Sequence, residues 1–285
     1  MFSRLRTYAS FVRFSHSVFA LPFALVGALL AARVVGFEWW RLAWIAACMV
    51  TARSAAMGFN RLVDASFDAR NPRTAARELP AGRMSIGEAR WFVVIASLLF
   101  LASTYPLGWT CFLLAPVALA IVFWYSLAKR VTSFTQAFLG LAMAVAPVGG
   151  WLAAGGEAAR WEPWLLGLAI GTWVAGFDVL YACQDVDFDR REGLHSIPVR
   201  FGVPGALRIS RALHVVTIAS LAIVGGLANL GPFYLAGVGL IALLLAWEQS
   251  LVSATDLSQV KRAFDLNGWV GMLYFAVTAA AVYWR

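Results

Sequence analysis

Nine long apolar runs divide this 285-residue chain, near positions 17–36, 39–59, 89–105, 109–127, 134–153, 161–182, 207–229, 232–252 and 266–284. Each approaches the ~20 residues that a helix needs to cross about 30 Å of hydrocarbon. The expected fold class is therefore all-α, a polytopic membrane protein of nine transmembrane helices. The runs use up nearly the whole length, so residues 1–285 read as a single transmembrane domain whose loops must carry any chemistry that needs water. Composition agrees: 61% of residues are hydrophobic and 13% charged, where a soluble domain has about a quarter charged.

The net charge of +8 looks at first like a nucleic-acid signal, but its placement argues against that partner. Arg4, Arg6 and Arg13 precede the first run, and Arg61, Arg70, Arg73, Arg77, Arg83 and Arg90 flank the loop after the second. Lys129 and Arg130 follow the fourth; Arg190, Arg191, Arg200, Arg208 and Arg211 follow the sixth; Lys261 and Arg262 follow the eighth. Only Arg33, Arg41, Arg160 and Arg285 fall on the other side. The positive-inside rule puts the N-terminus and these loops in the cytoplasm and the C-terminus outside, as in a bacterial inner membrane. Cys48, Cys111 and Cys183 lie within or at the end of apolar runs without metal-ligand spacing, so no disulfide or thiolate site is implied. The basic N-terminus followed by an apolar run resembles a signal peptide, but Arg33 interrupts the place for cleavage, and a retained first span is expected.

Two polar stretches depart from this pattern. In the first, NRLVDASFDARNPRTAARELPAGR from Asn60 to Arg83, the residues Asn60, Asp64 and Asp68 stand four apart, which stacks them along one stripe of a helix. Like charges at that spacing repel by roughly 0.2–0.5 kcal/mol, so a positive partner between them is expected. In the second, DVLYACQDVDFD, the residues Asp178, Tyr181, Asp185 and Asp189 share one helical face, and Asp187 points away as a solvated acid. Both stretches close an apolar run at matched places.

Other residues divide between chemistry and packing. Arg53, seven residues before Asn60, sits roughly 10 Å deeper at ~1.5 Å per residue, and an arginine within the hydrocarbon costs about 2.5–3.5 kcal/mol unless its surroundings are wet or paired. It serves either a buried carboxylate or a substrate anion, and its place on the stripe of Asn60 and Asp64 favours the anion. WYSLAKR, Trp124 to Arg130, puts Tyr125, Ser126, Lys129 and Arg130 at the cytoplasmic boundary, where such residues serve equally as interfacial anchors. His16 is expected as an interfacial or capping residue. The third and fifth spans read as packing surfaces, with Gly140, Gly149 and Gly150 allowing close helix approach. Trp39, Trp40, Trp161 and Trp164 read as belt residues, and Glu248 and Asn267 as partners in interhelical hydrogen bonds.

Carboxylates and arginines interleaved in the same loops narrow the chemistry. A plain cation site has no use for the arginines, and a plain phosphate site is repelled by the acids. An anion bound through Mg²⁺ uses both: hard oxygen ligands hold the ion, phosphate oxygens complete its shell, and Arg or Lys neutralises the rest. Diphosphate fits, and its departure needs stabilisation of developing charge rather than a protein nucleophile. No Ser/His/Asp or Cys/His arrangement competes.

These residues resemble the UbiA superfamily of intramembrane prenyltransferases. The first motif matches N-x-x-x-D-x-x-x-D at Asn60, Asp64 and Asp68, and the second matches D-x-x-Y-x-x-x-D-x-x-x-D at Asp178, Tyr181, Asp185 and Asp189. Supporting matches are N-P-R-T-x-x-R (Asn71 to Arg77), the run from Tyr125 to Arg130, and S-x-P-x-x-F-G (Ser196 to Gly202). The resemblance implies nine helices around a central cavity. It also implies that Asn60, Asp64, Asp68, Asp185 and Asp189 hold Mg²⁺ on the diphosphate of a polyprenyl donor, and that Arg73, Arg77, Lys129, Arg130, Tyr125 and Ser126 grip that diphosphate. Tyr181 belongs to the substrate site and Asp178 assists proton removal or raises phenolic electron density. An aromatic acid accepts the prenyl group in ubiquinone or menaquinone biosynthesis.

Arg53 stands where 4-hydroxybenzoate-type members take the acceptor carboxylate. The segment SHSVFALPFA departs from the D-K-P-x-G run usual in proteobacterial ubiquinone enzymes and looks more like a branch acting on dihydroxynaphthoate. Both acceptors carry a ring carboxylate, so Arg53 does not separate them. Rival classes are an ion-coupled transporter, against which the acids gather at one membrane face, and a lipid headgroup transferase, whose glycine-bearing signature is absent.

Overall fold

The computed structural model describes residues 7–284 apart from 9, 13–20, 37 and 73; Ser15, His16 and Arg73 fall outside the described residues. From residue 21 on, ten α-helices follow among the described residues: α1 (Leu21–Val35), α2 (Trp39–Arg70), α3 (Ile86–Thr104), α4 (Trp109–Ala128), α5 (Thr135–Ala153), α6 (Glu162–Ala182), the short α7 (Val186–Arg191), α8 (Ile197–Leu227), α9 (Gly231–Ser250) and α10 (Val260–Tyr283). Among the described residues no strand occurs, and eight helical stretches are long and apolar enough to cross a membrane. The ninth apolar helix, α1, has 15 described residues.

Two groups of helices enclose a central space. The larger packs α1, α5, α6, α8, α9 and α10 around a core that includes Phe23, Trp173, Tyr234 and Tyr274. The smaller packs α2, α3 and α4 around Ala55, Phe100 and Leu119. Close approach in the larger group depends on missing side chains: a methyl at Gly150 would overlap the carbonyl of Ala24 on α1, and one at Gly140 would overlap that of Gly171 on α6. Gly149 behaves otherwise. Nothing lies within 4 Å of where its Cβ would be, and it faces a cavity, so the expectation of a packing glycine fails there.

Apolar burial is not the only glue. Asn267 on α10 donates from Nδ2 to Glu248 of α9 at 2.9 Å, and its Oδ1 accepts from Trp173 of α6 at 2.6 Å. The interhelical role expected for this pair is therefore observed, and it ties three helices through groups that have no water to turn to.

Several boundaries shift for local reasons. α2 continues eleven residues past the apolar run, giving 32 residues, or ~48 Å at ~1.5 Å per residue. That exceeds the hydrocarbon thickness, so its C-terminal turns carry the first acidic motif beyond the lipid. Arg61, which the sequence places with the loop, is instead a buried residue of this helix. α8 starts ten residues before its apolar run, where Ser196 caps it by accepting from the Val199 N–H at 3.3 Å, and it bends at Gly202, whose φ of 68° suits glycine.

Candidate active site

α2 stops where Asn71 meets Pro72, because the residue before proline is driven to extended geometry. Thr74 then folds back and its hydroxyl donates to the Asp68 carbonyl at 3.0 Å, satisfying one of the acceptors a helix end leaves open. This turn presents Arg77 to Asp68: Nη1 donates to both carboxylate oxygens, at 2.7 and 2.8 Å. The positive partner expected between the acids is thus found at Asp68, and Asp64 has its own. Lys129 Nζ lies 2.7 Å from Asp64 Oδ2, and Arg130 lies 3.6 Å from Oδ1. Asn60 donates from Nδ2 to Asp64 at 3.3 Å and to Ser126 at 3.4 Å, which leaves its amide oxygen as the atom able to meet a cation.

The second motif differs in detail from the sequence expectation of one continuous helix. α6 ends at Ala182, a 3₁₀ turn covers Cys183–Asp185, and α7 follows. Across that break Asp178, Tyr181, Asp185 and Asp189 still line one cavity. Asp187 is exposed, as expected of a solvated acid. The segment after α7 is laced to the ends of α4 and α5: the His195 N–H donates to the Lys129 carbonyl at 2.8 Å, and the Thr135 hydroxyl donates to the His195 carbonyl at 3.1 Å. Arg70 at the end of α2 donates from Nε and Nη2 to one oxygen of Glu192, at 2.9 and 2.7 Å, so the two motif loops are joined directly.

Both stripes line one polar cavity of about 300 Å³. Asn60, Asp64 and Asp68 form one side and Asp178, Tyr181, Asp185 and Asp189 another, with Tyr125, Ser126, Lys129 and Arg77 between. Arg130 does not line it; it sits at the rim, bonded to the Val63 carbonyl. Phe67, Asn71, Thr74, Thr135, Phe188 and Leu194 also line the cavity, and the sequence reading assigned none of them a role. Asn71 lay within the N-P-R-T run, which was a signal. Phe67 had none, since an aromatic in an acidic motif reads as packing.

A second, apolar cavity of about 630 Å³ adjoins the first, sharing Tyr125 and Leu139 as walls. Arg53 lines this one and not the polar cavity. Its wall includes Phe100, Leu107, Cys111, Met143 and Ala146, and also Val117, Leu141 and Leu168, which are exposed. The fifth span, read from sequence as a packing surface, is therefore also a chamber wall. Cys48 and Cys111 are free thiols in that wall.

The family model of the UbiA prenyltransferase family matches residues 20–277. The chain belongs to that family. It is a prenyltransferase embedded in the membrane, and its fold and relatives agree. It is 34% identical over 241 residues to a 4-hydroxybenzoate octaprenyltransferase of Cronobacter sakazakii, covering 83% of this chain and 81% of the relative. It is 35% identical to the enzyme of the same name from Tolumonas auensis, covering 79% and 78%. The apo structure of a UbiA homologue from Aeropyrum pernix K1 superposes with a TM-score of 0.85 at 36% identity, covering 93% of this prenyltransferase and 98% of that chain. A UbiA homologue from Archaeoglobus fulgidus, solved with DMAPP and Mg²⁺, shares the fold at a TM-score of 0.74 and 19% identity, covering 98% and 100%.

Among the described residues of this prenyltransferase no three Asp, Glu, His or Cys side chains converge closely enough to cage a metal by themselves. The donor set across the cavity consists of carboxylate and amide oxygens, the hard ligands that Mg²⁺ takes. Mg²⁺ is ordinarily held by one or two carboxylates together with substrate phosphates rather than by an all-protein cage.

Proposed function

We propose that this prenyltransferase moves a polyprenyl group from polyprenyl diphosphate to the ring of an aromatic acid, 4-hydroxybenzoate or, in a menaquinone route, dihydroxynaphthoate. The observation that carries the reading is the pair of adjoining cavities: a polar one with two facing carboxylate stripes and cations between them, and an apolar one holding a single deep arginine. A diphosphate with a long hydrocarbon tail has those two parts, and an aromatic acid brings the carboxylate that Arg53 suits.

In this reading Asp64, Asp68, Asp185 and Asp189, with the Asn60 oxygen, hold Mg²⁺, which when bound neutralises charge on the diphosphate oxygens. Lys129 and Arg77 bind the remaining oxygens, Arg73 and Arg130 add positive charge, and Tyr125 at the shared wall, with Ser126 and Tyr181 in the polar wall, orients the group. The bond from the allylic carbon to the diphosphate oxygen breaks, and the electron pair leaves with diphosphate. A ring carbon of the acceptor then forms the new carbon–carbon bond and loses its proton, with Asp178 as the nearby base in the polar wall. The apolar chamber excludes water from the allylic cation. The relatives' names support this choice of donor and acceptor, and the hard-oxygen donor set supports Mg²⁺. The arginine placement supports a bacterial inner-membrane location with the site on the cytoplasmic face and the C-terminus outside.

The test is transfer of labelled prenyl diphosphate to each acid by the purified protein in nanodiscs. Asp64→Asn and Asp185→Asn should each abolish Mg²⁺-dependent transfer while the protein stays folded. Retained transfer in either variant contradicts the assignment, and ion flux in liposomes without transfer favours a transporter.

A further inference from the structure

One side chain of the first motif has surroundings that the reading above leaves unused. The ring of Phe67 lines the polar cavity, and three cations stand over it: the Arg70 guanidinium at 5.0 Å from its centroid, Arg130 at 5.3 Å and the Lys129 ammonium at 5.8 Å. They come from the ends of two helices, α2 and α4. A ring has two faces, so at least two of the three share one, against their mutual repulsion. Something negative must hold them together.

Part of that is Asp64, one helical turn before Phe67, which Lys129 and Arg130 both reach. Part is Glu192, which holds Arg70. The ring is the element common to all three. Its quadrupole attracts a cation within about 6 Å, yet it carries no net charge. A carboxylate at this position would add a further counter-charge to those of Asp64 and Glu192; an aromatic ring positions the cations without one.

We propose that Phe67 is a positioning residue of the donor site, steadying the Lys129 ammonium in the wall of the polar cavity while Arg70 and Arg130 pack on the same ring outside that wall. This rests on the donor being a diphosphate bound in the polar cavity. The ring's role follows from what a carboxylate cannot do: it keeps the cations in place even when Asp64 exchanges Lys129 for another partner.

The test replaces Phe67 in the full chain with 4-fluoro-, 3,5-difluoro- and 3,4,5-trifluorophenylalanine, which weaken the quadrupole stepwise with little change of shape. The readout is the Kd of geranyl S-thiolodiphosphate with Mg²⁺ in nanodiscs, beside the KM of the acceptor acid. Expected is a graded rise in Kd reaching about tenfold, or about 1.4 kcal/mol, with acceptor KM unmoved. Phe67→Leu should match the trifluoro protein and Phe67→Trp should bind within about twofold of the unmodified one. A Kd independent of fluorine content, or Phe67→Trp as impaired as Phe67→Leu, overturns the inference. If the unmodified protein does not bind the probe, or Asp64→Asn binds it equally well, the diphosphate site itself is wrong, a result distinct from a flat fluorine series.

Discussion

Replacing Arg53 with leucine separates the two cavities chemically. This guanidinium lines the apolar chamber and is absent from the walls of the polar one, and it lies seven residues below Asn60 on an unbroken helix, roughly 10 Å deeper. If it receives the acceptor carboxylate, the loss is that of a charge-assisted hydrogen bond in a water-poor site, about 1.5–3 kcal/mol. At ~1.4 kcal/mol per tenfold, kcat/KM for the aromatic acid should fall about 10- to 150-fold. The donor KM should change less than about threefold, because no wall of the diphosphate cavity is altered, a difference of ~0.6 kcal/mol on the same scale. The comparison that isolates the carboxylate uses 4-hydroxybenzaldehyde, which has the phenol and lacks the charge. Wild type and Arg53→Leu should turn over the aldehyde at similar rates, so the penalty appears only in the acid column of the cycle. Equal losses for acid and aldehyde, or a donor KM rising in step, would show that Arg53 serves packing or the donor instead.

Other substitutions test the surrounding frame. Lys129→Gln leaves the buried Asp64 carboxylate with the longer contact to Arg130 and the Asn60 amide; thermal unfolding should show a loss of about 1–2 kcal/mol, discounted from the ~3–5 of a fully buried pair because Lys129 is partly exposed, with the donor KM raised and Lys129→Arg largely restoring both. Gly150→Val drives its side chain into the Ala24 backbone and should cost about 1–3 kcal/mol by overpacking, whereas Gly149→Ala, with open space beside it, should leave the unfolding temperature unchanged. Asn267→Leu removes the acceptor of the Trp173 N–H and the amide donor to the buried Glu248 carboxyl, for a loss of about 2–4 kcal/mol from two broken hydrogen bonds in a buried site; a neutral result in the same melting assay would mean that these bonds do not support the fold.

Much of this arrangement was legible in the residues because its signals are periodic. Hydropathy located the helices, and a four-residue acid repeat is readable wherever a helix continues, as α2 does through Asp68. The repeat also predicted that cations would lie against the acids, without saying which ones. Lys129 reaches Asp64 across 65 positions of chain, and no local pattern encodes a contact of that span. Phe67 was invisible for the opposite reason: its meaning lies in three neighbours brought from two helix ends, and alone it looks like any apolar residue. The change from packing glycine to cavity glycine between Gly150 and Gly149 likewise turns on one helical step of ~100° relative to a neighbour whose position only the fold determines.

The shared wall of Tyr125 and Leu139 has a consequence for how turnover ends. In the proposed reaction, cleavage at that partition would sort the two products by solubility: pyrophosphate in the polar cavity, and the alkylated ring in the apolar chamber, whose lining includes the exposed Val117, Leu141 and Leu168. Under that proposal each product would leave from its own cavity, and accumulation of one would not obstruct the exit of the other.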